Sequence, residues 1–352
     1  MKPAAQSLIM VLGMHRSGTS ALTRGLQVLG ISLGDDLMPA ADANNGKGFW
    51  EDQDVVAFND SLLASIGRSW RNVIPATPQQ VEAWRRDGQA GIAARLLRTK
   101  MRGLSSFAIK DPRLALLLPF WTGVFRDLDL DVSYILALRH PDSVARSLAQ
   151  RDGIGMDHAN LMWLGHVLGS LMHTEGVART VVDYDRLMQA PEAELRRIAA
   201  FLGRDIDPEE LKVYRDEFLD PSLRHHHERL GRAGADAFYT PLVGEMFTTL
   251  TDLAADRGSL DSADMSARLS SWLAAYERMT PMLEIMDDLA ARLEQASAEL
   301  SRARKKAARP LNWSQMAWAR LKQDVRAALR FHPEWRRLLS RLLRALTSRR
   351  VL

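Results

Sequence analysis

The 352-residue sequence contains no cysteine and no long hydrophobic run. Without cysteine, the chain forms neither disulfide bonds nor a thiolate metal site. No run approaches the roughly 18 apolar residues of a membrane-spanning helix. The first residues also lack the apolar core of a secretion signal. Since 46% of the residues are hydrophobic, we expect a soluble, globular and cytoplasmic protein with a substantial core.

A lysine is also missing from a place where nucleotide-binding proteins carry one. An apolar run over 8–12 leads into Gly13 and Gly18, and a helical pattern follows, which predicts a strand, a phosphate-binding loop and a helix. The nucleotide P-loop has a lysine directly after its second glycine, but Thr19 stands here. Arg16 is the only side-chain cation within this loop. An ordinary glycine-rich turn remains the alternative.

Alternating strands and helices continue along the chain and predict an α/β fold with a parallel sheet. One predicted strand, 107–109, runs into Lys110-Asp111-Pro112-Arg113, and another, 132–138, ends at Arg139. The following helix contains Ser147. Ligands of such sheets lie outside the carboxyl ends of the strands, so Arg139 and Ser147 are candidates to hold a second anionic group. Alternatively, Arg139 pairs with a neighbouring acid.

Three motifs together resemble the sulfotransferases that use 3′-phosphoadenosine 5′-phosphosulfate (PAPS). They are His15-Arg16-Ser17-Gly18-Thr19-Ser20, Arg139-His140-Pro141 with Ser147 eight residues after the arginine, and Val182-Asp183-Tyr184-Asp185 with Pro191 beyond it. The resemblance spans roughly residues 7 to 230. It implies a P-loop-like three-layer α/β fold, PAPS as the sulfuryl donor and no metal. It also implies that the first loop binds the 5′-phosphosulfate and that Arg139 and Ser147 bind the 3′-phosphate. Arg16 stands at the family's loop cation position, and we expect it to be catalytic by neutralising charge on the bridging and sulfuryl oxygens as the nucleotide leaves.

The resemblance further requires a base for the acceptor hydroxyl. Glu51 matches the glutamate of carboxylate-using members, and its aromatic neighbours would raise its pKa toward the working range. Asp111 is the second candidate, with orientation of Lys110 or Arg113 as its alternative role. His140 adjoins the phosphate contact and is interpreted as a packing residue. Carboxylate-using members favour a saccharide acceptor, while tyrosyl, lipid and small-molecule hydroxyls stay open.

Beyond residue 203 the resemblance weakens. No clear match exists for the family's basic segment that closes on the 3′-phosphate, and Arg224, Arg229 or Arg232 are candidates to replace it. Three consecutive histidines, 225–227, cannot all face one ion and form a poor metal site. A short heptad pattern over 282–303 allows either a homodimer or a helix packed on the domain.

The last segment is strongly basic, with 15 Lys and Arg residues against 2 acidic residues over 301–352. Basic and apolar residues alternate there with helical spacing, which is typical of a helix lying on an anionic membrane surface. A solvated extension is the alternative, and nucleic-acid binding is less favoured. The chain would then be peripheral at the inner membrane face.

These patterns divide the chain into an α/β domain over 1–235, a helical segment over 236–303 and a basic amphipathic tail over 304–352. Two other functions are alternatives to sulfuryl transfer. A P-loop kinase using ATP and Mg²⁺ would require the missing lysine at position 19 and a metal-holding aspartate such as Asp183. A noncatalytic membrane or polyanion adaptor would leave both anion loops unexplained.

Overall fold

The computed structural model describes residues 6–40, 46–220 and 239–306, together with residues 320, 323 and 324. Its central sheet has the strands β1 (Ser7–Leu12), β2 (Ser106–Lys110), β3 (Asp131–Leu138) and β4 (Arg179–Asp183). Their order is β2-β1-β3-β4, and all three pairings are parallel. The predicted parallel sheet is therefore confirmed.

Helices connect and cover these strands. They are α1 (Thr19–Gly25), α2 (Gln53–Ser65), α3 (Pro78–Arg86), α4 (Gln89–Lys100), α5 (Leu114–Asp127), α6 (Pro141–Asp152), α7 (Met156–Met172), α8 (Tyr184–Gln189), α9 (Pro191–Leu202), α10 (Pro208–Val213), α11 (Thr240–Ala254) and α12 (Ala263–Lys306). The sequence pattern predicts a first helix over about 19–29 that ends at Gly30, and the structure confirms this end, since α1 continues as a 3₁₀ turn over Leu26–Leu29. The pattern over 185–188 predicts a turn, and this prediction is wrong. These residues form α8 because the Asp183 carboxylate caps the helix by accepting from the backbone N–H of Arg186.

The two faces of the sheet pack into separate cores, because successive side chains of a strand point to opposite sides. Leu8, Met10 and Leu12 of β1 join one core, to which α5, α7, α11 and α12 contribute. Ile9 and Val11 join the other, together with residues of α1 and α9. Helices thus cover both faces, and the predicted three-layer architecture is confirmed.

The C-terminal helices belong to the first of these cores. Met246 of α11 and Trp272 of α12 are fully buried in the same cluster as β1. Farther along α12, the buried carboxylate of Asp287 accepts hydrogen bonds from the backbone N–H groups of Val73 (2.9 Å) and Ile74 (3.2 Å). Burial raises the pKa of Asp287 to about 6. A loop between α2 and α3 is therefore held in place by α12.

Three regional predictions fall mainly outside the described residues. The proposed boundary between 235 and 236 lies in the undescribed range 221–238, as do Arg224, Arg229, Arg232 and the three histidines. Most of the basic tail is likewise undescribed. Within the described part of the chain, none of the helices has the length and apolar character needed to cross a membrane.

Candidate active site

The site lies where the carboxyl ends of the parallel strands meet. β1 is flanked by β2 on one side and β3 on the other. Where the order of parallel strands switches sides in this way, a crevice that can hold a ligand opens outside their carboxyl ends. The phosphate-loop residues follow β1, Lys110 ends β2 and Arg139 follows β3. Residues separated by more than a hundred positions in sequence are thereby brought to one edge.

Glycine is required twice in the loop between β1 and α1. A Cβ atom on Gly13 would lie 2.8 Å from the carbonyl oxygen of Ala137 in β3. Gly18 has φ +82°, and a Cβ there would lie 2.0 Å from the ring of Tyr184. The loop also holds Arg16 at φ +70°, a conformation that is uncommon for residues other than glycine. The loop therefore packs closely against both β3 and Tyr184, and its tight turn directs α1 toward the cavity.

Arg139 and Ser147, predicted as the second anion-binding pair, both contact this loop. The Arg139 Nη1 group donates to the carbonyl oxygen of Arg16 at 2.9 Å, and its Cζ atom lies 4.5 Å from the centroid of the Tyr184 ring. Arg139 Nε is buried and has no hydrogen-bond partner among the described residues. Arg16 Nε donates to Ser147 Oγ at 2.7 Å. The two predicted anion-binding groups therefore form one continuous site.

On the other side of the loop, Lys110 and Glu51 form a buried ion pair. Lys110 Nζ lies 2.6 Å from Glu51 Oε1 and 3.3 Å from Ser20 Oγ. Arg113 Nη1 lies 3.8 Å from the second carboxylate oxygen of Glu51. Burial raises the pKa of Glu51, whereas the charge of Lys110 and its hydrogen bond lower it. A carboxylate that was predicted as the base is thus joined by a cation that the sequence analysis did not assign to the site.

Asp111 occupies a different environment. It has no exposed surface and accepts from Asn59 Nδ2, from Arg113 Nη1 and from the Arg113 backbone N–H, each at 2.9 Å. A carboxylate sealed in this way has no open path to an acceptor hydroxyl. These contacts favour the alternative role predicted for Asp111, orienting Arg113, over its role as a second candidate base.

Two further loop residues differ in their access to the cavity. The His15 ring lines the cavity with its centroid 4.5 Å from that of Trp70. Burial lowers the pKa of His15 well below its ordinary value, and the nearby Arg113 lowers it further, so the imidazole is neutral at pH 7. Ser17 is buried and does not line the cavity. His140 caps α6, since its Nδ1 accepts from the backbone N–H of Asp142 at 3.3 Å.

These groups surround a cavity of about 840 Å³, a size typical of small-molecule sites. Its described lining contains six cationic and three acidic side chains, namely Arg16, Lys47, Lys110, Arg113, Arg139, Arg151, Glu51, Asp152 and Asp220. The described residues include no cluster of three or more His, Asp or Glu side chains arranged for a metal ion. The excess of cations suits an anionic ligand.

Lys110, Tyr184, Trp70 and Arg151 are cavity residues that the sequence analysis did not assign to binding. For Lys110 a usable signal existed, because it ends a strand whose carboxyl end meets the phosphate loop. Tyr184 similarly follows β4 directly. Trp70 lies in an irregular loop, so no periodic pattern could have placed it.

Comparison with solved structures gives matches to sulfotransferases. The sulfotransferase domain from the Synechococcus PCC 7002 olefin synthase is 20% identical, with a TM-score of 0.38 over 70% of this chain and 98% of that chain. Sulfotransferase STF1 from Mycobacterium tuberculosis H37Rv is 15% identical, with a TM-score of 0.38 over 70% of this chain and 78% of that one. Retinol dehydratase in complex with androsterone and inactive cofactor PAP is 13% identical, with a TM-score of 0.31 over 76% and 80%. No protein-family model and no curated protein matches the sequence. At this level of similarity, function follows only from the chain's own residues.

Proposed function

We propose that this chain is a sulfotransferase that moves a sulfuryl group from PAPS to a hydroxyl acceptor. The observation that carries the proposal is the continuous anion site at the phosphate loop. Arg139 and Ser147 contact the loop on one side, at 2.9 Å and 2.7 Å, and Lys110 approaches Ser20 on the other. A site with cations at both ends fits a nucleotide that carries anionic groups on both its 3′ and 5′ positions.

The residues at the 3′ end fit a phosphate. The buried Arg139 Nε group has no hydrogen-bond partner among the described residues, and an unsatisfied buried donor of this kind costs free energy until a ligand accepts from it. The absence of a side chain on Gly18 leaves room for Tyr184, over which the Arg139 guanidinium is stacked. We assign the 3′-phosphate to Arg139 and Ser147 on these grounds.

At the 5′ end, Gly18, Thr19 and Ser20 begin α1, where backbone N–H groups and the positive end of the helix favour a phosphate. We assign the sulfuryl end to Lys110, whose Nζ is 3.3 Å from Ser20 Oγ. From the sequence, Arg16 is predicted for this role, as the only side-chain cation within the loop. Because Arg16 Nε donates to Ser147, its position instead favours the 3′ end.

Bound PAPS would supply an activated sulfuryl group. During in-line transfer the sulfur–oxygen bond to the 5′-phosphate breaks, a new bond forms to the acceptor oxygen, and the acceptor proton passes to Glu51. Lys110 serves two groups in this scheme. It keeps Glu51 ionised, as a base must be, and it neutralises negative charge that develops on the leaving phosphate oxygen.

A P-loop kinase is less well supported. The carboxylate of Asp183, which such an enzyme would use for Mg²⁺, caps α8 by accepting from the Arg186 backbone at 2.9 Å. Asp111 is likewise committed to Asn59 and Arg113. Both aspartates therefore have structural hydrogen bonds, and neither lines the cavity.

For the acceptor, we propose a saccharide hydroxyl. The support is the match of Glu51 to carboxylate-using sulfotransferases and its buried place beside the phosphate loop, where it lines the cavity. Screening of radiolabelled sulfuryl transfer to glycans, phenols and lipid-linked sugars would identify the class. Cytoplasmic location, binding of the basic tail to anionic membranes and a homodimer remain proposals from the sequence.

Isothermal titration calorimetry with PAP, the product nucleotide, tests the function without an acceptor. We expect PAP to bind, ADP to bind more weakly, and Arg139→Ala to reduce PAP affinity by about 10- to 100-fold, the equivalent of one or two charge-assisted hydrogen bonds. Arg196→Gln, which removes an arginine 63% exposed on α9, is the matched control. Equal or tighter binding of ADP would contradict the proposal.

A further inference from the structure

A second cationic residue of α6 lies one turn beyond Ser147. Arg151 follows Ser147 by four residues, and side chains at this spacing lie on the same face of a helix. Both residues line the cavity. Ser147 and Arg151 therefore face the same cavity from one side of α6.

Arg151 belongs to a cluster of three arginines. Arg16 donates to Ser147 at 2.7 Å, and Arg139 donates to the Arg16 carbonyl at 2.9 Å. Burial lowers the pKa of Arg16, and the positive charges of Arg151 and then Arg139 lower it further, which places all three within electrostatic range. Holding like charges together in a partly buried site costs free energy, and a bound anion removes this cost.

One acidic residue contributes to the charge balance of this cluster. Asp152 Oδ2 accepts from Arg151 Nε at 2.6 Å, and the negative charge of Asp152 raises the pKa of Arg16. Three guanidinium groups and one carboxylate leave two positive charges. A terminal phosphate monoester, with a charge close to −2 at neutral pH, matches this balance.

Trp70 fixes the position of Arg151. The Arg151 Cζ atom lies 5.4 Å from the centroid of the Trp70 ring, within the range of a cation–π interaction. The Trp70 loop is itself held, because His158 Nε2 lies 2.9 Å from the Arg71 carbonyl oxygen and Asp287 binds the backbone at Val73. A long side chain that is already ordered loses less entropy when it binds a ligand.

We propose that Arg151, positioned by Trp70, completes the 3′-phosphate site beside Arg16, Arg139 and Ser147. This inference rests on the proposed function. It assigns to α6 the closing cation for which the sequence suggested Arg224, Arg229 or Arg232. It also makes the choice between nucleotides with and without a 3′-phosphate depend on the Trp70–Arg151 pair.

Calorimetry with PAP and with adenosine 5′-phosphate, which differs only in lacking the 3′-phosphate, tests this assignment. Arg151→Gln should weaken PAP binding by about 10- to 100-fold, the effect of losing a charge-assisted hydrogen bond. Arg151→Gln should change the affinity for adenosine 5′-phosphate by less than about 3-fold, because this nucleotide has no 3′-phosphate for Arg151 to bind. Arg196→Gln, at an exposed residue outside the cavity lining, should leave both affinities unchanged.

The positioning role of Trp70 is tested by a double-mutant cycle. Trp70→Leu should weaken PAP binding by about 3- to 10-fold through loss of the cation–π contact, and it should have no further effect in the Arg151→Gln background. Trp70→Phe retains an aromatic ring and should restore most of the affinity.

The outcomes separate this inference from the proposed function. If the wild-type chain binds no PAP, both are overturned. If PAP binds and Arg151→Gln weakens PAP and adenosine 5′-phosphate equally, or neither of them, the 3′-phosphate assignment of Arg151 is overturned and the proposed function stands. Additive effects of Trp70→Leu and Arg151→Gln would overturn the positioning role alone.

Discussion

The buried pair of Lys110 and Glu51 gives a prediction that combines stability with pH. The Lys110 and Glu51 side chains are 2% and 7% exposed, and their charged atoms are 2.6 Å apart. Lys110→Met removes the charge but keeps a side chain of similar length, so the packing is largely preserved. Glu51 is then left buried without its partner. The cation that remains beside it is Arg113, whose Nη1 atom lies 3.8 Å from Glu51 Oε2.

Breaking a buried pair in this way costs about 3–5 kcal/mol in the free energy of unfolding. Glu51 escapes the cost by taking up a proton. Burial raises its pKa above the unfolded value of 4.5, and the loss of Lys110 raises it further. In the Lys110→Met variant the folded state therefore binds the Glu51 proton more tightly than the unfolded state does. The stabilisation from this proton is fully present below pH 4.5 and is lost as the pH rises through the folded-state pKa of Glu51.

The assay is urea unfolding of the wild type, Lys110→Met and Lys110→Met/Glu51→Gln at pH 5 and pH 8. We expect Lys110→Met to approach wild-type stability at pH 5 and to lose most of the 3–5 kcal/mol estimated above at pH 8. The double variant should recover much of that loss, since it has no buried charge. An equal cost of Lys110→Met at both pH values, or no recovery in the double variant, would refute the reasoning.

Three other substitutions test the site and its support. Glu51→Gln should keep wild-type PAP affinity and lose sulfuryl transfer to any acceptor found by screening, because the amide cannot take the hydroxyl proton; full turnover would exclude Glu51 as the base. Gly18→Ala adds a Cβ that would lie 2.0 Å from the Tyr184 ring, at a φ of +82°. It should abolish PAP binding in calorimetry while near-native circular dichroism is retained, and unchanged affinity would show that the loop tolerates a wider turn. Burial raises the pKa of Asp287 from 3.8 to about 6. Its proton therefore stabilises the folded state fully below pH 3.8, and about 3 kcal/mol of the free energy of unfolding is lost as the pH rises through 6. Asp287→Asn should flatten this pH dependence in unfolding experiments, and a curve that parallels the wild type would contradict it.

Much of the fold was predictable from local patterns. The strands were located within about one residue of their observed ends, because buried apolar runs bounded by turn residues are a strong local signal. The amphipathic pattern over 77–104 predicts either one helix or a pair of helices, and the structure has the pair, α3 and α4. The turn over 185–188 was wrong because the Asp183 cap, a single side-chain hydrogen bond, outweighed the weak turn pattern.

The site was predicted where its residues belong to one motif and missed where they come from distant parts of the chain. Glu51 and Lys110 are 59 positions apart, and the irregular loop before Glu51 gives no periodicity from which to place it. From the sequence, Lys110 is given only as one of the two residues, with Arg113, that Asp111 would orient. Adjacent residues of a strand end point in different directions, and this separates the cavity-lining Lys110 from the buried Asp111.

The hydrogen bonds between Asp287 and the loop at Val73 can form only late in the synthesis of the chain. Their partners are 214 residues apart, so the ribosome finishes the Trp70 loop long before the helix that holds it has been synthesised. At about 5–20 residues per second, this delay is on the order of 10 to 40 s. During synthesis the nascent chain therefore carries the loop after β1 and all four strands of the sheet, while the Trp70 wall of the cavity still lacks its anchor. The Trp70 loop therefore gains its Asp287 anchor only after this part of α12 has emerged from the ribosome.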